Sequence, residues 1–563
     1  MKKNISIISI LLCLVLVLSL FVACNPKNDG DGDGDKDTGI KEWESNEWVA
    51  SDSALYRDYY HIFVYSFCDS DGDGIGDLKG IESKLDYIAD LGFNGIWLSP
   101  IHPSDTEHCY DVKDYMDVNE MFGTLSDFDE LVEAAHEKGI SIMLDLVINH
   151  TSNKHPWFIA AQEACRQGKT SNKYYNYYTF KDSTGNSYKT FEQEQSMPKL
   201  NLDNQDVRNE IDEMCKFWLQ GHSVDAFRLD AAWHFYDKNA AANVAFMQWL
   251  YATAKVYNPD VYMVGEVLAK GAQVYPHFAE NSVQSFFNFD FSTSKGFNEM
   301  LVKISPGQTD RATSLAPILA ANERNTAKGI DALFLSNHDT TRFSNQIAYI
   351  NNRTMDIDEV KTEWHKMSVA LLYTQPGNVF NYYGNEIGMR NGLRAANGDG
   401  YTSNSYIDYT YRTAMNWSNE STWGQTDGFA YKAYGYNSRF GEHDDYLGGV
   451  AEQINDQNSI LNFYRRVMTL RRQNPEIAQG KSTFIANDDT DLLIVVRDYN
   501  GSKLLMIYNL HADSEVVFDA SSIISELGLV GGLRGFLSSN NDRDVTMSGK
   551  TVTLPQFSLA VIY

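Results

Sequence analysis

With 563 residues, 43% apolar and 22% charged, the chain has a globular composition and exceeds one ordinary core, so two or three domains are expected. Lys plus Arg number 47 against 75 Asp plus Glu, a formal charge of −28. So acidic a surface repels polyanions, which argues against nucleic acid as a partner and is compatible with a neutral ligand.

In chain order, Lys2 and Lys3 precede an uncharged, mostly apolar run from Ile5 to Val22 that ends in Ala23-Cys24. Residues 1–23 therefore read as an export signal. The ending resembles a bacterial lipoprotein signal, with Phe21 where Leu is usual, which makes Cys24 the expected lipidation site. The chain is then exported and lipid-anchored at the bacterial cell surface or membrane. An uncleaved anchor is the alternative, because a run of about 18 residues approaches the length of a spanning helix. Residues 24–45 form an acidic linker, since Asn25 to Thr38 are mostly Asp, Gly and Lys and bury too little to offset chain entropy.

Apolar segments then alternate between strand-like and helix-like periods. Ile62–Phe67, Ile96–Leu98, Ile140–Val147, Ala226–Leu229, Val261–Val264, Phe286–Phe289, Leu333–Leu335 and Val379–Tyr382 read as eight strands, with amphipathic helices such as Ser126–Lys138, Val207–Gln220, Val244–Tyr257 and Glu363–Tyr373 between them. Eight such alternations predict an α/β fold, a (β/α)8 TIM barrel over 46–150 and 205–478. The interval 151–204, rich in Tyr, Lys, Asn and Gly, is too long for a simple connection and is expected to be a small inserted domain after the third strand. A helix over Ser459–Arg472 closes the barrel, and the short β-like runs of 479–563 predict an antiparallel β-sandwich.

Polar groups just past the carboxyl ends of buried parallel strands sit where barrels hold their chemistry. Five such segments occur in order: 92–100, 145–150, 227–232, 264–267 and 334–339. Three supply a carboxylate, Asp230, Glu266 and Asp339. Taken together they resemble the signature regions of the α-amylase family of glycoside hydrolases, from about Tyr59 to the C-terminus.

That resemblance implies Asp230 as nucleophile, Glu266 as acid/base and Asp339 as the group that grips sugar hydroxyls in the transition state. Retaining glycosidases need such a pair, one carboxylate to attack and one to protonate the leaving oxygen. Arg228, two residues before Asp230 on the same strand face, holds that carboxylate ionised. His150 and His338, each in an Asn-His pair, are expected to bind the sugar; Asp145 either supports Arg228 or touches ligand. His108-Cys109-Tyr110-Asp111 resembles the family's His-Gly-Tyr-Asp stretch, with His108 at the sugar and Tyr110 stacked beneath it. Cys for Gly at 109 is a departure that puts the local backbone in question.

Asp69, Asp71, Asp73 and Asp77, alternating on a Gly-rich loop with the Ile75 carbonyl, suit calcium and resemble the metal loop after the first strand in family members. An acidic solvated turn is the alternative. Cys68, Cys109, Cys165 and Cys215 have no metal-like spacing and read as buried thiols, although a Cys68–Cys109 disulfide is open. The Tyr174–Tyr178 and Tyr401–Tyr411 clusters read more readily as packing than as sugar subsites.

Within the family, Ala231 follows the nucleophile where α-1,6-cleaving relatives commonly carry Val, and Ala231-Ala232-Trp233-His234 resembles the Ala-Ala-Lys-His of α-amylases. Met197-Pro198-Lys199-Leu200-Asn201 resembles instead the neopullulanase group. The expectation is an α-amylase acting with retention on α-1,4 bonds of an α-glucan. The alternatives are a neopullulanase or oligo-1,6-glucosidase type and a non-catalytic glycan-binding lipoprotein.

Overall fold

The computed structural model describes residues 55–292, 299–304, 308–352, 362–391, 410–419, 424–426, 447–539 and 543–563. The export signal, Cys24 and the acidic linker lie outside them. Eight parallel strands close into a barrel in sequential order: β1 Tyr59–Ile62, β2 Gly95–Leu98, β3 Ser141–Leu146, β4 Ala226–Leu229, β5 Tyr262–Gly265, β6 Ser285–Phe287, β7 Ile330–Phe334 and β8 Asn378–Tyr382.

Alternate side chains of these strands bury on opposite faces. Tyr59, Trp97, Met143, Ala226, Tyr262, Val264, Phe287, Ala332 and Phe380 fill the barrel interior. Tyr60, Ile96, Ile142, Phe227, Met263, Phe286, Leu333 and Val379 pack outward in the large surrounding core. With both faces dry, the strands read as continuous apolar runs, which is why they are visible in the sequence. Helices are delimited by local chemistry. Leu125–Glu137 begins at a capping box in which the Thr124 hydroxyl accepts from Asp127 N at 3.2 Å and the Asp127 carboxylate accepts from Thr124 N at 2.8 Å.

Strand β1 corrects the sequence reading, which placed it at Ile62–Phe67. The strand ends at Ile62, and Val64–Ser66 is a 3-10 turn. The apolar run continues past the strand because residues 412–417 cover it: Met415 N donates to Ser66 O at 2.8 Å, and Trp417 Nε1 donates to Phe67 O at 2.8 Å. Burial by a segment 350 residues away in sequence imitates strand periodicity.

Between β3 and β4 the chain forms a helix, Pro156–Arg166, and a set of isolated β-bridges that end in His150↔Lys199 and Tyr178↔Leu200. Past the closing helix Ile460–Gln473 come two antiparallel sheets. One has the order β13-β16-β11-β10-β9, with β9 Lys481–Ile485, β10 Leu492–Tyr499, β11 Ser502–Asn509, β13 Leu533–Ser538 and β16 Ser558–Ile562. The other has the order β12-β15-β14, with β12 Val516–Asp519, β14 Thr546–Ser548 and β15 Thr551–Leu554. Leu492, Ile494 and Val496 of β10 face the smaller sheet, whereas Leu493 and Val495 join the barrel's core. Strand β10 is therefore buried on both faces.

Arg497, fully buried, donates to Thr374 O and to Gln375 Oε1, both at 3.0 Å, and so pins that sheet to the segment before β8. The β9–β10 turn also caps the helix Arg311–Asn325, whose own N-cap residue Asp310 makes no side-chain cap. Asp491 Oδ1 accepts from Arg311 N at 2.6 Å, and Thr490 O accepts from Ala312 N at 2.9 Å. Replacing Asp491 with Ala should destabilise the protein by about 1–2 kcal/mol, the range of a lost cap, with specific activity unchanged. An unaltered calorimetric melting temperature would show that the cap contributes nothing.

Candidate active site

The ladder between β3, β4 and β5 aligns three of the polar positions. Asp145 pairs in register with Arg228, and hydrogen bonding runs one residue past the strands, Asp230 N to Leu146 O at 3.3 Å and Glu266 N to Leu229 O at 3.0 Å. Side chains at these positions converge on the carboxyl end of the barrel.

Arg228 is the hub, and only 1% of it is exposed. Its Nη1 donates to Asp145 Oδ1 at 2.8 Å and Oδ2 at 3.0 Å and to Asp230 Oδ1 at 2.8 Å, while Nη2 lies 2.9 Å from Glu266 Oε2. Its guanidinium also faces the rings of Trp97 and Tyr110, at 5.4 and 5.6 Å from their centroids. Asp145 is thus placed beneath Arg228 as its support. The other oxygen of Asp230, Oδ2, is buried and has no hydrogen-bond partner among the described residues.

Glu266 Oε2 also accepts from Ala231 N at 3.1 Å, made available by the left-handed backbone of Ala231 at φ 47°. Burial pushes the Glu266 carboxyl upward; Arg228 opposes this, and the charges of Asp230 and Asp339 reinforce it. Asp230 is likewise raised by burial and held back by Arg228. Asp339 differs. Its side chain is 40% exposed and lies 3.0 Å from His338 Nε2 and 2.9 Å from Arg412 Nη2; desolvation pushes it up, but the His338 ring and the Arg412 guanidinium hold it well below the usual carboxylate range.

The aromatic and imidazole positions gather around the same centre. Tyr110 lies 5.6 Å from the His338 ring and nearly parallel to it, and its hydroxyl is 3.0 Å from Asp145 Oδ2 and 2.8 Å from His338 Nε2. His150 is buried, with Nε2 3.2 Å from Tyr110 O and its ring stacked on Phe191 at 5.0 Å. His108 Nδ1 accepts from Tyr110 N at 3.0 Å. Burial lowers His108 to about 3 and His150 to about 4, so both rings are neutral near pH 7. Cys109 has φ 57°, a left-handed conformation that Gly adopts without steric cost and Cys does not, so the departure places a strained residue here. A Cys68–Cys109 disulfide is not formed, and all four described cysteines are free. Cys109 Sγ is turned to Thr106 O at 3.3 Å, and Cys68 packs against Gly424.

Arg412 escaped the sequence reading. It lies 73 residues beyond Asp339 in a stretch without periodicity, yet it reaches Asp339, the His338 carbonyl at 3.1 Å and the buried Glu107 at 3.4 Å. No local pattern announces a contact made across the mouth of a barrel. The Tyr174–Tyr178 cluster is packing, with Tyr177 hydrogen-bonded to Glu210 and Tyr178 to Thr151 at 2.9 Å each. Of Tyr401–Tyr411, residues 401–409 lie outside the described residues, and Tyr411 is buried.

After β1, the ligand atoms of Asp69, Asp71 and Asp77 lie within 4.8 Å of one another. Asp73 stands outside this group, its Oδ1 accepting from Ile75 N at 2.7 Å. Loop amides shape the cluster, Asp69 accepting from Gly72 N and Gly74 N at 2.7 Å each. An all-oxygen donor set of three converging carboxylates fits a hard divalent cation.

A closed (β/α)8 barrel whose carboxyl end carries paired carboxylates on one arginine defines a barrel glycoside hydrolase. The chain belongs to the α-amylase family, matching "Alpha amylase, catalytic domain" over residues 61–480. Alpha-amylase 3 of Dictyoglomus thermophilum is 33% identical over 463 residues, covering 80% of this chain and 84% of that relative. The oligo-1,6-glucosidase of Bacillus cereus is 28% identical over 549 residues, covering 83% and 92%. The solved structure of Eubacterium rectale Amy13B superposes with a TM-score of 0.77 at 35% identity, covering 90% of this chain and 95% of that one.

The raised Glu266 carboxyl carries a stability prediction. A folded-state pKa above the unfolded value of about 4.3 favours folding while the group is protonated, and that stability is lost as pH rises through the folded value. Glu266→Gln removes the ionisation. Its melting temperature should exceed that of the wild type by a margin that widens from pH 4 to pH 7; a margin independent of pH would refute the assigned environment.

Proposed function

We propose that this chain is an α-amylase, hydrolysing α-1,4-glucosidic bonds of starch, glycogen or maltooligosaccharides with retention of configuration. The observation that carries the reading is the sharing of Arg228 by Asp230 and Glu266, with Asp230 Oδ2 left unpartnered among the described residues. Asp230 Oδ2 attacks the anomeric carbon while protonated Glu266 gives its proton to the departing glycosidic oxygen. Glu266, now a carboxylate, then takes a proton from the water that opens the glycosyl-enzyme ester, and the product has the α configuration. Asp339, held ionised, faces the ring as positive charge develops. Tyr110 offers an aromatic face to the apolar side of a pyranose.

Ala231 beside the nucleophile supports the α-1,4 preference. A second reading, hydrolysis or transfer at α-1,6 bonds, is favoured by the Bacillus cereus relative and by the Met197–Asn201 segment. Products from soluble starch against those from isomaltose separate the two. A binding-only lipoprotein would not need all three carboxylates.

Glu266→Gln should lower turnover by about 10²–10⁴, with glucan binding largely kept, as expected for a lost proton transfer. Asp230→Asn should form no covalent intermediate. Proton NMR in the first minutes should show α-anomeric product; early β-anomer would mean inversion and overturn the mechanism.

Calcium at Asp69, Asp71 and Asp77 belongs to the same proposal, in a structural role. A cation bound by the folded state stabilises it by RT ln(1 + [L]/Kd). Chelation should therefore lower the melting temperature, and Asp71→Ala should lower it without chelator and blunt the chelator's effect. No change in either case would remove the metal.

A further inference from the structure

Backbone strain is concentrated beside the catalytic pair. Among the described residues, eleven non-glycine positions have positive φ, and five of them lie in two facing segments: Glu192 and Gln193 at 42° and 73°, and Ala231, Asp237 and Lys238 at 47°, 48° and 69°. Such conformations persist only where the surroundings over-determine them. The two segments come from the excursion between β3 and β4 and from the loop after β4. An open cavity of about 390 Å³ lies between them.

A single ammonium group joins the segments. Lys199 is 4% exposed, unusual for a lysine, and its backbone is tied to the excursion by the bridge to His150 and by Lys199 N donating to Lys189 O at 2.9 Å. Its side chain crosses to the loop after β4, where Nζ donates to the His234 carbonyl and, at 2.6 Å, to Asp237 Oδ1. The other charged groups at this junction are Lys189, 2.6 Å from Asp237 Oδ2, Glu192, 3.6 Å from His234 Nε2, and Lys238, 4.2 Å from the centroid of the Trp233 ring.

The loop that receives Lys199 also grips the acid. His234 N closes a turn on Ala231 O at 2.7 Å, Ala231 N donates to Glu266 Oε2 at 3.1 Å, and Trp233 N donates to Glu266 O at 3.2 Å. Asp230 is the residue before this turn. Displacing the His234 carbonyl would therefore move both the amide that holds the Glu266 carboxylate and the backbone that presents Asp230.

We infer that Lys199 is a positioning residue, an internal cation that locks the strained turn 231–238 against the β3–β4 excursion and so sets the Asp230–Glu266 geometry. Its ammonium bonds His234 O and Asp237 and neither catalytic carboxylate. The inference rests on the hydrolase reading above and specifies what holds that site in register.

The test compares Lys199→Met, Lys199→Arg and, as a control that removes an exposed cation from the same Asp237, Lys189→Met. Lys199→Met should lower kcat on a maltooligosaccharide by about 10- to 100-fold, the scale of a small misplacement of reacting groups, with KM within about twofold. Lys199→Arg should restore most of kcat, and Lys189→Met should keep it. Hydrogen exchange, which needs no activity, should show faster exchange at the Ala231 and Trp233 amides in Lys199→Met alone. If that variant does not fold, Asp237→Asn gives the same readouts from the other side of the ion pair. Unchanged kcat and exchange in folded Lys199→Met, or equal losses in Lys189→Met, would overturn the proposal. A wild type inactive on α-glucans would sink the hydrolase reading instead, while the exchange comparison would still decide the role of Lys199.

Discussion

One guanidinium organises this protein's chemistry. Arg228 is buried beneath the cleft with three carboxylates on its two terminal nitrogens, and every other element of the site is arranged around that imbalance of charge. Taking so many charges out of water is costly, and the cost is met only where geometry is tight and further donors satisfy the remaining oxygens. Asp145 is served by Tyr110 and Glu266 by Ala231 N. Burial, reinforced by the charges of Asp230 and Asp339, raises Glu266, which is what a group that must deliver a proton requires. The same crowding makes the site a place where stability is given up for reactivity.

The barrel alone does not complete this arrangement. Strand register delivers Asp145, Arg228, Asp230 and Glu266 to one rim, but Asp339 is held ionised by Arg412, from the segment after β8, and the loop after β4 is held by Lys199, from the excursion after β3. These are connections of long sequence separation laid over the carboxyl end of the sheet, where barrel enzymes carry their variable parts. The C-terminal sheet serves stability instead: its central strands are buried, it reaches the barrel through Arg497 and it caps one of the barrel's helices.

Strain and charge recur together. Cys109, Ala231 and Asp237 all have left-handed backbones, and each lies within two residues of a group that contacts the catalytic centre or its support. Side chains with a Cβ resist that conformation, so neighbouring bonds must hold it. Cys109 is held through Thr106 and Asn119, and Asp237 through two lysines.

The amino-acid sequence by itself determined the barrel, the C-terminal antiparallel sheets and the rim positions of Arg228, Asp230 and Glu266. Strands buried on both faces must be apolar throughout, and a polar residue directly after such a run has one place to go. The acidic loop 69–77 was legible for the same local reason, since carboxylates at that density need a shared ligand or donors. Only the tertiary structure decided where β1 stops, because residues 63–67 are apolar through contact with 412–417 and not through pairing. It alone decided that Cys68 and Cys109 stay apart, that Asp73 stands outside the carboxylate cluster, that Arg412 reaches Asp339 and that Lys199 reaches the loop after β4. Those contacts join segments tens to hundreds of residues apart. Periodicity reports the face a residue turns to its nearest neighbours in sequence, and it carries no information about which distant chain will meet that face.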